Sequence, residues 1–187
     1  MGWIGLKPNP LAYQILVISG WRGVGKTTLC QRLVASARDA GWEVSGLISP
    51  ARVERNLKTG IVVEDLRTGQ RRLLASCLEG ELQGIRLGPW TFDDEVFAWG
   101  NQVLRSALPY GMLVLDEIGP LEFDRSQGWL EGFRVLDSNS YQLAIVVVRP
   151  ECIDLFLERW EVMEIFNLDG KNDIDGLEAE IVSRYLE

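Results

Sequence analysis

The chain has 187 residues, of which 47% are hydrophobic and 25% are charged, and its formal net charge is −8 at neutral pH. This length and hydrophobic content suit one α/β domain with a sizeable core, spanning residues 1–187. Such an acidic chain lacks the basic face that a sequence-independent nucleic-acid binder needs, so no nucleic-acid partner is expected. The sequence contains no histidine, which excludes histidine metal sites, Ser-His triads and imidazole general bases.

The cysteines and the hydropathy pattern indicate a reducing environment. Cys30, Cys77 and Cys152 lie far apart without a C-x-x-C pair, so we predict buried, inert thiols rather than a zinc site or disulfide scaffold. The apolar segment 15–18 is too short to span a bilayer, and no signal sequence is recognised. We therefore expect a cytoplasmic protein with no membrane partner.

Short apolar segments alternate with helical stretches, a pattern typical of a mostly parallel sheet covered by helices on both faces. The predicted fold class is therefore α/β, with three layers. Thr91 or Asp93 is expected to cap the second helix, which Pro109 and Gly111 would end. Strands are predicted at 13–19, 43–49, 112–115, 143–148 and 162–166, and helices at 26–40, 91–108, 129–136, 152–159 and from 174 onward.

Residues 51–75 interrupt this alternation. Segments 61–66 and 70–75 flank Arg67-Thr68-Gly69, which predicts a hairpin, and a further short strand is possible at 51–55. The pattern favours an antiparallel hairpin insertion at one edge of the sheet. The glycine-rich segment 78–89 is predicted to be a loop or an edge strand.

The segment after the first strand carries the most specific motif. Residues 20–27 match G-x-x-x-x-G-K-[ST] in full, and they lie between an apolar strand and a helix. In such a P-loop, backbone N–H groups and the N-terminus of the following helix surround the β-phosphate of a nucleotide. The predicted nucleotide-binding residues here are Gly20, Trp21, Arg22, Gly23, Val24, Gly25, Lys26, Thr27 and Thr28.

Two side chains of the P-loop have defined chemical roles. Lys26 is expected to reach the β- and γ-phosphates, and the Thr27 hydroxyl to bind Mg²⁺. Mg²⁺ is thus the expected cofactor.

A second motif follows the apolar segment 112–115, which ends in two carboxylates. Asp116 suits the Walker B role of holding Mg²⁺ directly or through a water molecule. Glu117 occupies the position where many P-loop ATPases keep a carboxylate that orients and deprotonates the attacking water. It is the predicted catalytic base, although a solvated carboxylate at a strand end is the alternative.

Four further residues are candidates with open alternatives. Arg149 follows the strand 143–148, where it can reach the γ-phosphate as a catalytic arginine or form a surface ion pair. Arg22 is a second candidate for that role or a solvent-exposed residue. Glu122 and Asp124 follow Gly119-Pro120 on a predicted loop, where solvated acids are favoured over metal ligands.

The sequence gives no clear base preference. No N-K-x-D guanine-recognition motif is present, because residues 170–173 carry those letters in another order. Trp21 is either a stacking partner for a base or an ordinary surface tryptophan.

Together, residues 20–28, the sequence Asp-Glu-Ile-Gly-Pro-Leu-Glu at 116–122, and Val-Val-Val-Arg at 146–149 resemble the THEP family of nucleoside-triphosphatases. The resemblance extends from about residue 15 to residue 166, and the segment 60–69 resembles that family's inserted hairpin. It implies a RecA-like domain that hydrolyses nucleoside 5′-triphosphates with Mg²⁺ and broad base tolerance. It also implies nucleotide contacts from 20–27 and from 112–119, which adds Gly119 to the candidate residues.

Three functions are compatible with these motifs. The first is slow hydrolysis of ATP, GTP and other triphosphates, with Glu117, Lys26 and Arg149 as the catalytic group. The second is a nucleotide-dependent switch that docks on a protein partner through residues 51–75. The third is a small-molecule kinase, which Glu117 disfavours because activated water competes with the acceptor.

Overall fold

The computed structural model describes residues 13–106, 111–170 and 173–187. The predicted helix end at residue 108 and Pro109 lie outside this part of the chain. Within it, ten strands form one sheet: β1 (Gln14–Ser19), β2 (Val44–Ile48), β3 (Ala51–Glu54), β4 (Leu57–Asp65), β5 (Arg71–Ser76), β6 (Gly84–Leu87), β7 (Trp90–Asp93), β8 (Met112–Ile118), β9 (Leu143–Val148) and β10 (Glu164–Asn167).

The helices connect and cover these strands. They are α1 (Lys26–Asp39), α2 (Asp94–Arg105), α3 (Pro120–Arg125), α4 (Leu130–Ser138), α5 (Ile153–Leu157), preceded by the 3₁₀ turn Pro150–Cys152, and α6 (Ile174–Tyr185). Asp93, rather than Thr91, caps α2, because its carboxylate accepts from the N–H groups of Glu95 and Val96 at 2.8 and 3.1 Å.

The parallel half of the sheet has the order β10-β1-β9-β8-β2. Its five strands are those predicted from the apolar segments, with ends that differ by a few residues. β9 therefore lies between β1, which carries the P-loop, and β8, which carries the two carboxylates. This crossover order brings the two motifs to one edge of the sheet, although about 90 residues of sequence separate them.

The antiparallel half is larger than the predicted hairpin. From β2 the sheet continues as β4-β5-β7-β6, and β3 pairs with the far end of β4. The insertion thus extends from residue 51 to residue 93 instead of ending near 75. β6 is an edge strand within 78–89, one of the two alternatives predicted there; β6 and β7 have only four residues each, too few for their alternation to distinguish them from a loop.

Two hydrophobic cores lie on the two faces of the parallel strands. Alternate residues of β1 point to opposite faces, Ile15 and Val17 to one core and Leu16 and Ile18 to the other. Side chains of α2 and α4 fill the first core, and side chains of α1 and α6 fill the second. The three-layer α/β class is confirmed. No helix within 13–106, 111–170 and 173–187 is long and apolar enough to cross a membrane.

Two local predictions were wrong. The segment after Gly119 is not a loop but the short helix α3, because Pro120 at its first position suits a helix N-terminus. The thiols are not all buried, since Cys77 is exposed at the end of β5 while Cys30 and Cys152 are buried.

Candidate active site

The carboxyl ends of the five parallel strands meet at one edge of the sheet, where ligands bind in open α/β folds. The P-loop 20–25 follows β1, Ser49 follows β2, Glu117 lies near the end of β8, and Arg149 follows β9. We call the space bordered by these residues the active-site crevice.

The P-loop has the conformation expected for its glycines. Gly25 has φ +97° and forms the left-handed position directly before α1. The buried Lys26 ammonium donates hydrogen bonds to the carbonyl oxygens of Gly20 and Trp21 at 2.7 and 2.9 Å. Lys26 therefore lies along the inner side of the loop.

A residue that sequence reasoning missed holds the start of the P-loop. The backbone N–H of Trp21 donates to Asp169 Oδ1 at 2.8 Å. Asp169 follows β10, the outer neighbour of β1. In the sequence, only its position shortly after a parallel strand would have suggested that Asp169 lies at the edge where the P-loop is.

Asp116 is a buried carboxylate, with 3% of its surface exposed. Its Oδ2 accepts from the Ser49 N–H at 3.1 Å, the Thr27 hydroxyl also hydrogen-bonds to it, and Ser49 Oγ donates to its carbonyl oxygen. Burial, helped by the nearby Glu117 charge, raises the pKa of Asp116 to about 6 despite these bonds.

The paired oxygen groups of Asp116 and Thr27 suit Mg²⁺, which prefers hard oxygen ligands and usually takes one or two carboxylates besides phosphate and water. In the part of the chain that the structure describes, no three cysteine or carboxylate side chains cluster as a metal site.

Glu117 is half-exposed and lies between two cations. Its Oε2 is 3.9 Å from Lys26 Nζ, and its Oε1 is 3.3 Å from Arg149 Nη1. Arg149 also donates to Glu151 at 2.9 Å through Nη2, and only 14% of its side chain is exposed. The structure thus brings together Lys26, Glu117 and Arg149.

Gly119, the candidate nucleotide contact that follows β8, lies against the Arg149 side chain. A Cβ at residue 119 would lie 2.7 Å from Arg149 Cγ. The absence of a side chain at residue 119 leaves room for the Arg149 side chain, which extends toward Glu117.

β2 and β8 approach each other closely at Gly46. Gly46 has φ +106°, and a Cβ there would lie 2.0 Å from the carbonyl oxygen of Val114 on β8. A glycine is required because any side chain would push the strands apart. The approach places Ser49 beside Asp116, a contact that sequence reasoning also missed.

Glu122 is not a solvated acid. It is buried in the first turn of α3, where its two oxygens accept from the backbone N–H groups of Gly119 and Trp129 at 2.9 and 2.8 Å. Burial raises its pKa to about 7. Glu122 therefore fixes the backbone that leaves β8. Asp124 is exposed.

The remaining candidates lie at the outer rim of the crevice. Trp21, Arg22 and Thr28 are exposed, and 62% of the Trp21 surface is accessible. Arg22 interacts electrostatically with Glu151, the other partner of Arg149.

A strand, glycine-rich loop and helix, with a buried carboxylate on a nearby parallel strand, together define the P-loop nucleotide-binding class. The sequence model of a family described as NTPase matches residues 15–182. The chain is 28% identical over 178 residues to "Nucleoside-triphosphatase THEP1" of Methanopyrus kandleri, covering 92% of this chain and 97% of the relative. It is 30% identical over 176 residues to the protein of that name from Thermococcus kodakarensis, with 92% and 96% covered.

Solved structures share the fold. A human cancer-related nucleoside triphosphatase superposes with a TM-score of 0.70 at 22% identity, covering 91% of this chain and 96% of that one. THEP1 from Aquifex aeolicus gives 0.68 at 18% identity, with 91% and 98% covered. The chain belongs to the THEP1 family of nucleoside-triphosphatases, and its substrate is a nucleoside triphosphate.

Proposed function

We propose that this chain hydrolyses ATP, GTP and other nucleoside 5′-triphosphates to the diphosphate and phosphate, with Mg²⁺ and slow turnover. The observation that carries the proposal is the position of the Glu117 carboxylate, 3.9 Å from the P-loop lysine and 3.3 Å from Arg149. A carboxylate at this point suits the activation of water, whereas transfer to another acceptor would need water excluded.

Glu117 and Lys26 each have one role in this mechanism. Glu117 orients a water molecule in line with the γ-phosphate and accepts its proton as the new P–O bond forms. The bond from the γ-phosphorus to the β,γ-bridging oxygen then breaks, which releases the diphosphate. Lys26 and the loop N–H groups stabilise the charge on the phosphate oxygens.

Thr27 and Asp116 are the proposed Mg²⁺ ligands. When bound, the metal would neutralise charge on the β- and γ-phosphates. Asp116 is held for this task by Ser49 and Thr27, so its oxygens need little reorganisation.

The contacts of Arg149 support slow turnover. Its guanidinium bonds to both Glu117 and Glu151, so its positive charge is largely compensated. P-loop hydrolases that receive no arginine from a partner protein turn over at about 10⁻⁴ to 10⁻² s⁻¹. We expect a rate in this range.

Broad base tolerance, a cytoplasmic location and a single domain over 1–187 complete the proposal. Most phosphate contacts would come from the backbone and Lys26, which do not distinguish bases. Both halves of the chain contribute to one ten-stranded sheet, which supports one domain.

The variant Glu117→Gln tests the proposed base. It should bind Mg·ATP with unchanged affinity and lose phosphate release, because the amide cannot accept the proton. The matched control Glu158→Gln, at an exposed glutamate after α5, should hydrolyse at the parent rate. Phosphate release by Glu117→Gln at the parent rate would refute the assignment.

A second candidate is a switch that acts on a protein partner through residues 51–75. Val53 and Leu57 favour it, because these two apolar side chains of the β3–β4 hairpin are 58% and 68% exposed. A partner that stimulates turnover, with the stimulation lost in Leu57→Ser, would support this function. A rate that no added protein changes would argue against it.

A further inference from the structure

The hairpin of β3 and β4 projects beyond the carboxyl edge of the parallel strands. β4 pairs with β2 through Asp65 opposite Leu47 and Glu64 opposite Ile48, at the carboxyl end of β2. Because the two strands are antiparallel, the earlier residues of β4 continue past the end of β2, on the side of the crevice. Arg149 lies on the other side of β8, since β9 and β2 are its two neighbours.

Two irregularities bend this hairpin. The pairing register of β3 with β4 shifts between Arg52 and Val53, and that of β4 with β5 shifts between Ile61 and Val62. Bulges of this kind increase the local twist and redirect side chains, and they are frequent next to active sites.

Lys58 of β4 reaches the charges of the crevice. Its ammonium lies 5.5 Å from the ring centroid of Trp90, and it interacts electrostatically with the carboxylates Glu117 and Asp116 and with the cations Arg22 and Lys26. The residue is exposed overall, yet partial burial of its ammonium lowers the pKa of Lys58, while the two carboxylates oppose this effect.

A hydrogen-bonded network fixes the backbone next to Lys58. Arg52 donates to both Glu81 oxygens at 2.7 and 2.6 Å and to Thr59 Oγ1 at 3.2 Å. Ser76 Oγ also donates to Glu81. Hydrogen bonds from Arg52 and Ser76 lower the pKa of Glu81 to about 2, so this carboxylate stays charged. The strand that carries Lys58 is thus held in place before any ligand binds.

We propose that Lys58 contacts the γ-phosphate of the bound nucleoside triphosphate, from the side of the crevice opposite Arg149. This inference rests on the proposed triphosphate hydrolysis at the same site. In the proposed mechanism Glu117 lies at the γ-phosphate end of the nucleotide. Lys58 is a cation that interacts with Glu117 and belongs neither to the P-loop nor to β9. Its role is to discriminate the triphosphate from the diphosphate and to stabilise the charge on the γ-phosphate oxygens.

The test compares the affinities of two nucleotides for the full chain with Mg²⁺, by calorimetry. Lys58→Gln should bind a non-hydrolysable ATP analogue about tenfold more weakly, the size of one charged hydrogen bond, and bind ADP within about twofold of the parent. Lys58→Arg should restore most of the loss. The control Arg55→Gln removes a charge from the turn of the same hairpin and should change neither affinity.

Three outcomes would overturn the proposal: equal weakening for both nucleotides, no weakening for either, or a selective loss in Arg55→Gln as large as in Lys58→Gln. Circular dichroism and the urea midpoint of each variant establish that it folds. Because the analogue is not hydrolysed, the measured affinities do not depend on whether Glu117 is the catalytic base. Phosphate release by Glu117→Gln at the parent rate would refute the proposed base and leave a selective Lys58 effect standing.

Discussion

The guanidinium of Arg149, which follows β9, lies 3.3 Å from the carboxylate of Glu117 on the neighbouring strand β8. In the proposed mechanism we expect two roles for Arg149: it orients Glu117, and it contributes the part of its positive charge that Glu117 and Glu151 leave uncompensated. Both roles predict a loss of rate rather than of binding when the side chain is removed.

Arg149→Ala should therefore lower kcat by about 100-fold and change the affinity for ADP by less than about threefold. Combined with Glu117→Gln, the loss should be far smaller than the product of the two single losses, because each residue acts through the other. Single-turnover phosphate release measures all three variants. The control Arg159→Ala removes an arginine that pairs with Asp137 and should keep the parent rate. Multiplicative losses in the double variant would contradict the shared role.

Gly46→Ala should lower the free energy of unfolding by more than about 3 kcal/mol, because it combines a positive φ with a contact of 2.0 Å to the Val114 carbonyl oxygen. Gly41→Ala is the matched control, since Gly41 has φ +82° and no atom lies within 4 Å of the position that its Cβ would take. The free energy of unfolding of Gly41→Ala should fall by only about 1–2 kcal/mol, which is the strain of an alanine at a positive φ. Urea unfolding compares the two variants. Similar losses would contradict the prediction, because the contact with β8 would then add nothing to the destabilisation.

Glu122 should make the stability depend on pH. Its pKa is about 7 in the folded chain against an ordinary value of 4.5, so the folded state binds this proton more tightly. The stabilisation from the proton is complete below about pH 4.5 and is lost as the pH rises through 7, by up to about 3 kcal/mol. Glu122→Gln cannot bind this proton and should lack that part of the slope.

The comparison is made by urea unfolding at several pH values, with the parent chain and the variant side by side. Asp116, with a pKa of about 6, contributes a slope of the same sign to both proteins and cancels in the difference. Identical slopes for the parent and Glu122→Gln would contradict the assignment to Glu122.

The features that could be predicted from the sequence are those that depend on residues adjacent in the chain. The five parallel strands are continuous apolar segments because they are buried on both faces, and the P-loop is a local motif. Asp116 and Glu117 were selected as candidates because they directly follow the apolar segment 112–115. The α/β class and the nucleoside-triphosphatase family both followed from these local signals.

The contacts that were missed join residues far apart in the chain. Asp169 reaches Trp21 across 148 positions, and Ser49 reaches Asp116 across 67. Glu122 was misjudged because an isolated glutamate after Gly-Pro gives no indication that two distant N–H groups will surround it. Such pairings depend on the order of strands in the sheet, which a single sequence does not reveal.

The serine between β2 and β3 has a mechanical consequence. Ser49 donates from both its N–H and its hydroxyl to Asp116, and the antiparallel half of the sheet begins two residues later. A shift of Ser49 by about one ångström would break hydrogen bonds of this length. A tilt of the β3–β4 hairpin that displaces Ser49 would therefore also displace the carboxylate proposed to hold Mg²⁺.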